Sequence, residues 1–417
     1  MTYVFAHDPV VPCLGYLSAA PTVSTRADAA SAGPRAHILG AINGFKTAGW
    51  DVVPFIKGDR VDPSLVKGKV QRRLEGSPLL RYAADMARLV MAERSRRAAW
   101  DELGGRVDWV YERFATMQVL GHRFKRAGVP WILETQGLFY YETRVERATV
   151  GFSRLAERIE KRAYRACDAL IAVSPPLKDL IVRECGVDPD RILVVPNAVE
   201  LERFDPALNA HTRHFDELTI GFVGGLIGWQ ALDGLMEAMA ELEAESGLAT
   251  ALAVVGDGAM RGPWEARARA LGLGGRVRFL GQMPGHLVKH AIAGFDLGYA
   301  GAKVMAIGQM YHSPIKLYEY MAQGVPVLAA DFPDARGLVE GRGTGFLFEP
   351  GDKAMLKAAI RTAHGRRADL PAMGRRGRAL VEREHTWTAR VRAMLPDLQA
   401  RLRARPEAGL VAGLAGA

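Results

Sequence analysis

Short apolar segments alternate with amphipathic helical patterns along the chain, and this alternation constrains the fold more than any other feature. Apolar runs bounded by turn residues predict buried strands, and helices between them connect those strands in parallel. The first series of predicted strands covers residues 13–18, 51–55, 107–111, 131–134, 169–173 and 192–195. The second series covers residues 219–223, 251–255, 277–280, 297–299, 325–329 and 345–348. The sequence therefore predicts an α/β fold, and no repeat of fixed period indicates a solenoid or a propeller.

A polar stretch separates the two series. Residues 200–217 are rich in charged residues and follow Pro196-Asn197, as expected of a linker. The length of 417 residues also exceeds that of one ordinary domain. We therefore predict two Rossmann-like α/β domains, residues 1–200 and 201–385, that face an interdomain cleft. Ligands of such sheets bind outside the carboxyl ends of the strands, so the functional loops should face this cleft.

The last part of the sequence, residues 386–417, forms a separate unit in this prediction. Its first half is amphipathic and predicts a helix that packs back toward the N-terminal domain. Pro396 inside it predicts a kink or a break, because proline lacks the amide hydrogen that a helix interior needs. The Gly/Ala-rich end is expected to be flexible.

The charge balance is basic, with a formal net charge of +9 and a pI of about 9.5. Such a balance suits anionic partners such as nucleotides or phospholipid head groups, but it also fits a generally Arg-rich composition. Nucleic acid is not an expected partner, because the basic residues are not interleaved with stacking aromatic residues. Three well-separated cysteines without metal-ligand spacing are expected to be reduced thiols in a cytoplasmic protein.

The amino-terminal residues and the apolar segments bear on membrane contact. The first residues lack a basic region, and Pro12 interrupts their apolar run, so no signal peptide is expected. No apolar stretch is long enough to span a bilayer. The segment 70–100 mixes many arginines, including Arg72 and Arg73, with leucine, methionine and valine. It is either a solvated basic face or an amphipathic helix in peripheral contact with the inner membrane face.

Two glycine turns follow strands of the second series. Gly224 and Gly225 come directly before a helical pattern, where glycine lets the backbone approach a phosphate. The turn at Gly256 repeats this arrangement, but Arg261 occupies the last glycine position of a dinucleotide fingerprint. A dinucleotide cofactor is therefore not expected. The acidic pair of Asp188-Pro189-Asp190 lies in a predicted surface turn, and we expect no metal site there.

The most informative stretch begins at Ser313. Ser313 and Pro314 are typical of a helix start, as cap and first-turn residue, and Gly324 is typical of a helix end. The amides at such a start can bind a diphosphate, and Lys316 can add a charge-assisted hydrogen bond. Glu319, one turn further on, can accept hydrogen bonds from two ribose hydroxyls. An alternative from the spacing alone is a surface ion pair between Lys316 and Glu319.

This stretch, S-P-I-K-L-Y-E-Y-M-A-Q-G-V-P-V, resembles glycosyltransferase family 4, in the subgroup with an S-P-x-K-L-x-E-Y-M-A donor motif. Further segments are similar to the family, and together they cover most of the chain. These segments are 31–38, 169–177, 191–199, 279–283 and 295–296, with Phe204. The resemblance implies a GT-B fold, with an acceptor-binding N-terminal domain and a domain for the nucleotide sugar at residues 201–385.

The resemblance also implies an activity. It implies a retaining glycosyltransferase that moves a hexosyl group from a nucleoside-diphosphate sugar to a hydroxyl acceptor. That acceptor is either a small molecule or a lipid-linked one. Neither a metal nor another cofactor is implied, because helix-start amides and Lys316 would stabilise the leaving diphosphate.

Individual positions follow from the family motif. Ser313, Pro314, Ile315, Lys316 and Leu317 match the diphosphate-binding turn, with Gly224 and Gly225 on the phosphate side. Glu319 matches the ribose-binding glutamate, and the main chain near Met283 would meet the nucleobase. Gly33 and His37 would border the diphosphate and the acceptor, while Glu134 and Gln136 match a cleft-facing, catalytic pair of this subgroup.

Two departures from the family leave other functions open. Many members have a glutamate that contacts the donor sugar where this chain has Tyr311, which we nevertheless expect on the donor side of the site. Many also have a basic pair where this chain has residues 227–230 without Arg or Lys. Lys316, Arg261 or Lys303 would then have to carry that charge. These losses allow a non-catalytic or degenerate partner subunit. A GT-B epimerase or phosphorylase is the other alternative.

Overall fold

The computed structural model describes residues 11–403, apart from residues 28, 30–32, 62–76, 147, 148, 211, 305 and 309. Its first half forms a parallel sheet with the strand order β2-β1-β3-β4-β5-β6. The strands are β1 Cys13–Ser18, β2 Asp51–Ile56, β3 Trp109–Arg113, β4 Trp131–Thr135, β5 Ala169–Ala172 and β6 Ile192–Val194. The strand order reverses between β1 and β3, and such a switch point is where open α/β sheets bind ligands.

The second half forms another parallel sheet, with the order β12-β11-β10-β7-β8-β9. Its strands are β7 Leu218–Val223, β8 Thr250–Val255, β9 Val277–Gly281, β10 Leu297–Ala300, β11 Val327–Ala330 and β12 Gly345–Phe348. Here the switch point lies between β7 and β10. The two sheets confirm the predicted fold of two Rossmann-like α/β domains.

Helices cover the faces of both sheets. Those of the first half are α1 Gly33–Thr47, α2 Pro78–Leu103, α3 His122–Arg126, α4 Phe139–Tyr141, α5 Ser153–Ala166 and α6 Pro175–Cys185. Those that follow are α7 Leu232–Ser246, α8 Arg261–Ala270, α9 Gly285–Ala293, α10 Ile315–Ala322, α11 Pro333–Val339, α12 Lys353–Gly365, α13 Leu370–Glu384 and α14 Trp387–Arg403. The packing is that of layers built around buried parallel strands.

Local sequence explains where individual elements begin and end. In α6, Ser174 caps the helix by accepting a hydrogen bond from the amide of Leu177 at 3.2 Å. Gly186 ends the same helix with a left-handed backbone, φ +63°. The third predicted strand began at residue 107, two residues before β3. Val107 is buried and apolar, but the chain pairs with β1 only from Trp109 onward.

The last helix, α14, packs against α1 of the N-terminal domain. A Cβ on Gly40 of α1 would lie 2.1 Å from the ring of Trp387, so only glycine allows this close approach. The predicted break at Pro396 does not occur, because Leu398 and Leu402 beyond it remain buried in the same apolar cluster. The predicted flexible tail, residues 406–417, lies outside the described residues.

The chain crosses between the two domains at two adjacent places. The first crossing follows β6, and the second lies between α13 and α14. The two segments pair in parallel, since the Val199 amide donates to the His385 carbonyl at 3.1 Å and the Trp387 amide to the Val199 carbonyl at 3.3 Å. The crossings therefore run side by side.

Helix α2 contains the described part of the basic segment; Arg72 and Arg73 lie outside the described residues. Its outer face exposes Leu79, Met86 and Val90 to 80%, 52% and 49%. Arg94 continues this exposed face toward the carboxyl end of the helix. Across the described residues, no helix combines the length and the apolar character that crossing a membrane requires.

Candidate active site

A cavity of about 440 Å³ lies where the carboxyl ends of the two sheets face each other. The C-terminal domain lines it with the loops after β7, β8 and β9 and with the start of α10. The N-terminal domain lines it with the start of α1, the end of β3 and the segments after β4 and β6. Of the sequence-predicted residues, the lining includes Gly33, His37, Gln136, Gly224, Gly225, Met283, Ser313, Pro314, Ile315, Lys316 and Glu319.

The donor motif starts its helix differently from the prediction. Helix α10 begins at Ile315, and Ser313 does not cap it. The Ser313 hydroxyl instead donates to Asp334 and accepts from the Asn197 amide at 2.9 Å. Because no side chain caps α10, nothing of that kind competes for a ligand at its first turn. Ile315 and Lys316 face the cleft there.

Leu317 does not offer its amide to the cleft. Its side chain is fully buried, and its N–H donates to the Pro314 carbonyl at 3.2 Å. The turn that precedes α10 therefore already satisfies this donor. The prediction that Leu317 binds the diphosphate is wrong for this conformation, and the contact falls to Ile315 and Lys316.

Lys316 is a buried cation that lines the cleft. Its Nζ donates to Gln230 Oε1 at 2.8 Å and lies 3.8 Å from the centroid of the Phe222 ring. Burial lowers the pKa of Lys316 to about 7, although the Glu319 carboxylate opposes this shift. Burial likewise raises the pKa of Glu319. The alternative of a surface ion pair is wrong, because Lys316 is buried and no ion pair joins it to the half-buried Glu319 among the described residues.

The glycine turn after β7 makes room for Lys316. Gly224 has φ +147°, and a Cβ there would lie 3.1 Å from Lys316 Nζ. Gly225 follows it on the cleft wall, and Met283 lies on the same wall after β9. The backbone, the ammonium group and the start of α10 thus meet at one end of the cleft.

The two other cations that the sequence offered for this charge are engaged elsewhere. Arg261 Nε donates to Glu265 Oε1 at 2.9 Å within α8, and Lys303 Nζ donates to Asp233 Oδ2 at 2.7 Å. Neither residue lines the cavity. Among these candidates, the positive charge on the donor side therefore comes from Lys316.

His37 forms the centre of the N-terminal side. Its Nε2 lies 2.8 Å from Glu134 Oε2, and its Nδ1 lies 2.7 Å from Asn197 Oδ1. The side-chain nitrogen Nδ2 of Asn197 donates to Gln136 Oε1 and to the Ser313 carbonyl. These two hydrogen bonds fix the side-chain oxygen Oδ1 of Asn197 toward His37. Both histidine nitrogens therefore face oxygen atoms, and these two contacts fix the orientation of the ring.

Glu134 acts behind His37 rather than in the cleft itself. It is buried to 2% exposure and accepts a second hydrogen bond from Gln136 Nε2 at 2.9 Å. Burial opposes its ionisation, yet the charges of His37 and Arg113 hold the pKa of Glu134 below its usual value. Its position suits orientation of His37. The prediction of a cleft-facing pair is therefore corrected: Gln136 lines the cleft and Glu134 does not.

Tyr311 is turned away from the cleft. Its ring is fully buried, its hydroxyl donates to Glu142 Oε1 at 3.0 Å, and its carbonyl accepts from Ser174 Oγ at 2.5 Å. The expected donor contact at this position is therefore wrong. His312, the next residue, lines the cleft instead and stacks between Tyr311 and Trp229, at ring-centroid distances of 4.6 and 5.3 Å.

Several lining residues were not predicted as site residues from the sequence. They are Arg113, Asn197, Trp229, Gln230, Asp257, Gln282 and His312. Arg113 ends β3, and Asn197, Asp257 and Gln282 come within three residues of a strand end, so the strand ends were the available signal for these four. The Asp188 side chain, by contrast, accepts from the Asp190 amide in a surface turn.

Comparison with known families agrees with this architecture. Residues 32–203 match the model "Glycosyltransferase Family 4", and residues 207–379 match the model "Glycosyl transferases group 1". A D-inositol 3-phosphate glycosyltransferase from Geodermatophilus obscurus is 30% identical over 247 residues, which are 56% of this chain and 54% of the relative. The chain thus matches about half the length of this relative.

Other relatives and solved structures extend the comparison. An Escherichia coli UDP-Gal:alpha-D-GlcNAc-diphosphoundecaprenol alpha-1,3-galactosyltransferase is 31% identical, over 24% of this chain and 26% of the relative. Sucrose-phosphate synthase from Thermosynechococcus elongatus superimposes with a TM-score of 0.72 at 20% identity, over 94% of this chain and 99% of that chain. Anabaena HepE in complex with UDP and glucose superimposes with a TM-score of 0.66 at 16% identity, over 94% of this chain and 100% of that chain. These structures share the fold.

Proposed function

We propose that this chain is a glycosyltransferase of GT-B fold and family 4 type, which transfers a hexosyl group from a nucleoside-diphosphate sugar to a hydroxyl acceptor with retention at the anomeric carbon. The observation that carries the proposal is the convergence of Lys316, Glu319 and the Gly224 turn on one end of the cleft. Anabaena HepE, which shares the fold, was solved with UDP.

The donor half of the reaction follows from this convergence. The diphosphate would bind the amides of Ile315 and Lys316, at the positive end of α10. Lys316 would leave Gln230 for the phosphate oxygens and regain its full charge beside a dianion. Glu319 would accept hydrogen bonds from the ribose, and Met283 would lie near the base. These groups stabilise the charge that builds up on the leaving diphosphate, so we propose that no metal is required.

The acceptor half would use the group centred on His37. Glu134 and Asn197 orient the imidazole, and Gln136 lines the cleft beside it. The ring at this position would orient the acceptor or the donor sugar on the cleft wall. The leaving phosphate oxygen would then take the acceptor proton.

Screening against UDP-, GDP- and ADP-sugars tests the proposal. We expect calorimetry to detect one nucleoside diphosphate, and the product's anomeric coupling constant to match that of the donor. Chelation of divalent ions should leave the rate unchanged. Binding of no nucleoside diphosphate would overturn the proposal and favour a non-catalytic partner subunit. Phosphate-dependent release of the donor's sugar would instead favour a phosphorylase, and a product with an inverted sugar centre but no transfer would favour an epimerase.

We also propose that α2 contacts an anionic membrane surface, which would suit a lipid-linked acceptor. The exposed Leu79, Met86 and Val90 form an apolar face, and Arg94 and Arg97 supply positive charge beside it. Vesicles with phosphatidylglycerol should bind the protein, and Met86→Ser should weaken binding. Met355→Ser, at an exposed methionine of α12, is the control. Equal binding to neutral phosphatidylcholine vesicles would contradict the charge argument, and binding to neither kind of vesicle would leave a solvated basic face.

A further inference from the structure

A row of polar residues crosses the switch point of the N-terminal sheet. Ser18 ends β1, Arg113 ends β3, and the two residues are register partners. Arg113 is also the register partner of Glu134 on β4. Register partners point to the same face of a sheet, so the three side chains lie on one face at the carboxyl ends of their strands.

Polar atoms in this row lack partners among the described residues. They are Nε of Arg113, Oγ of Ser18 and the hydroxyl of Tyr16, two residues earlier on β1. All three atoms are buried. Buried polar atoms are almost always hydrogen-bonded in native proteins, so three of them at a switch point indicate a missing ligand. Arg113 also lines the cleft.

The charges of the row are not balanced. Glu134 is already bound to His37 and Gln136, and the structure gives no ion pair to Arg113 within the described residues. Arg113 lies beside Glu134, its register partner on the neighbouring strand, and that carboxylate is already engaged. The guanidinium charge of Arg113 is therefore available to attract an anion to the row.

We propose that the acceptor carries an anionic group, a phosphate monoester or a carboxylate, which binds Arg113 and Ser18 at the switch point of the N-terminal sheet. Guanidinium pairs with both oxoanions through two parallel hydrogen bonds, and the Ser18 and Tyr16 hydroxyls can donate further ones. The anionic group anchors the acceptor and directs its hydroxyl past His37 toward the donor. This proposal rests on the proposed transfer reaction and specifies the substrate class of the same cleft.

The donor diphosphate is the competing anion, and the geometry favours the acceptor. The diphosphate site proposed above belongs to the C-terminal domain, at Lys316 and the start of α10. Arg113 ends a strand of the opposite sheet, in a row with Ser18 and Glu134. Two anion sites on opposite walls match the two substrates of a transferase.

A binding experiment tests the site directly. Inorganic phosphate is titrated by calorimetry into protein saturated with the nucleoside diphosphate that it binds, so that the donor site is occupied. We expect Arg113→Gln to weaken phosphate binding about 10–100-fold and Arg113→Lys to weaken it less. Arg126→Gln, the same change at an exposed arginine after β3, is the control. Equal phosphate affinity in wild type and Arg113→Gln overturns the proposal.

Turnover supplies the second test and separates the two oxoanions. Acceptors are compared in sets of one neutral polyol, its phosphate monoester and its carboxylate. We expect the kcat/KM of one anionic member to exceed that of the neutral member at least about tenfold, because its KM is lower. Arg113→Gln should abolish this preference. A preference for the neutral member overturns the inference but leaves the transferase intact. Loss of diphosphate binding in Arg113→Gln assigns the arginine to the donor instead and also overturns it.

Discussion

In the C-terminal half of the cleft, six lining residues come from the single stretch His312 to Glu319, whereas the N-terminal half is assembled from the ends of separate elements. The first half holds one buried cation, Lys316, which is satisfied by Gln230. The second holds the closed group around His37 beside the unsatisfied Arg113. Each half is thus prepared for a different kind of ligand.

The difference indicates how tightly each half defines its substrate. The donor half offers backbone amides and a single switchable charge, which suit a diphosphate whatever sugar is attached. The acceptor half fixes His37 through Glu134 and Asn197 before any ligand binds. Preorganised groups of this kind select by orientation, so we expect variants in the two halves to affect different kinetic constants.

The largest effect should come from removing the donor-side charge. Lys316→Met should weaken nucleoside-diphosphate binding about 100-fold, because a buried charge-assisted hydrogen bond contributes about 1.5–3 kcal/mol. Calorimetry measures the change. Lys303→Met, at an exposed lysine of the same domain, should have no effect. Equal losses in both variants would mean that bulk charge, and not the two-sided cleft, attracts the donor.

Glu319→Ala should follow, with a loss of at least about tenfold in donor turnover through two missing ribose hydrogen bonds. The control is Glu349→Ala, which removes an exposed carboxylate from the same domain. Steady-state kinetics at varied donor concentration checks the effect. Unchanged kinetics in Glu319→Ala would remove the carboxylate from the donor half.

Donor binding should also depend on pH with a defined sign. The pKa of Lys316 in the empty site is about 7, and a bound diphosphate raises it, so binding takes up a proton above that value. Affinity should fall about tenfold between pH 6 and pH 8. Lys316→Met should lose this dependence. A wild-type affinity that rises over this range would contradict the assignment.

The smallest effect should come from the residue that joins the halves. Asn197→Ala removes hydrogen bonds to His37, Gln136 and the Ser313 carbonyl, and should lower kcat several-fold while diphosphate affinity changes little. Asn43→Ala, which removes a similar bond to Glu200 at the surface, is the control. If diphosphate affinity fell as much as kcat, the two halves would not be separable in function.

Most of the fold was accessible from the sequence, because buried parallel strands require continuous apolar runs. The position of the stretch Ser313 to Glu319 on the cleft wall was accessible because its residues are contiguous. Tyr311 was placed wrongly because the chain before α10 is irregular, so spacing does not fix which side chain faces the cleft. Arg113 and Asn197 were missed because tertiary packing, and not sequence proximity, brings them to the site.

The paired crossings at Val199 and His385 have a mechanical consequence. A single connecting segment would let the two domains rotate in any direction. Two connecting segments that are hydrogen-bonded side by side resist twisting, so bending is the movement of lowest cost. The cleft should therefore open and close by a hinge movement about the two paired crossings. Trp387 lies beside these crossings and contacts His37 within the N-terminal domain at a ring-centroid distance of 4.5 Å, so this contact should persist while the cleft opens and closes.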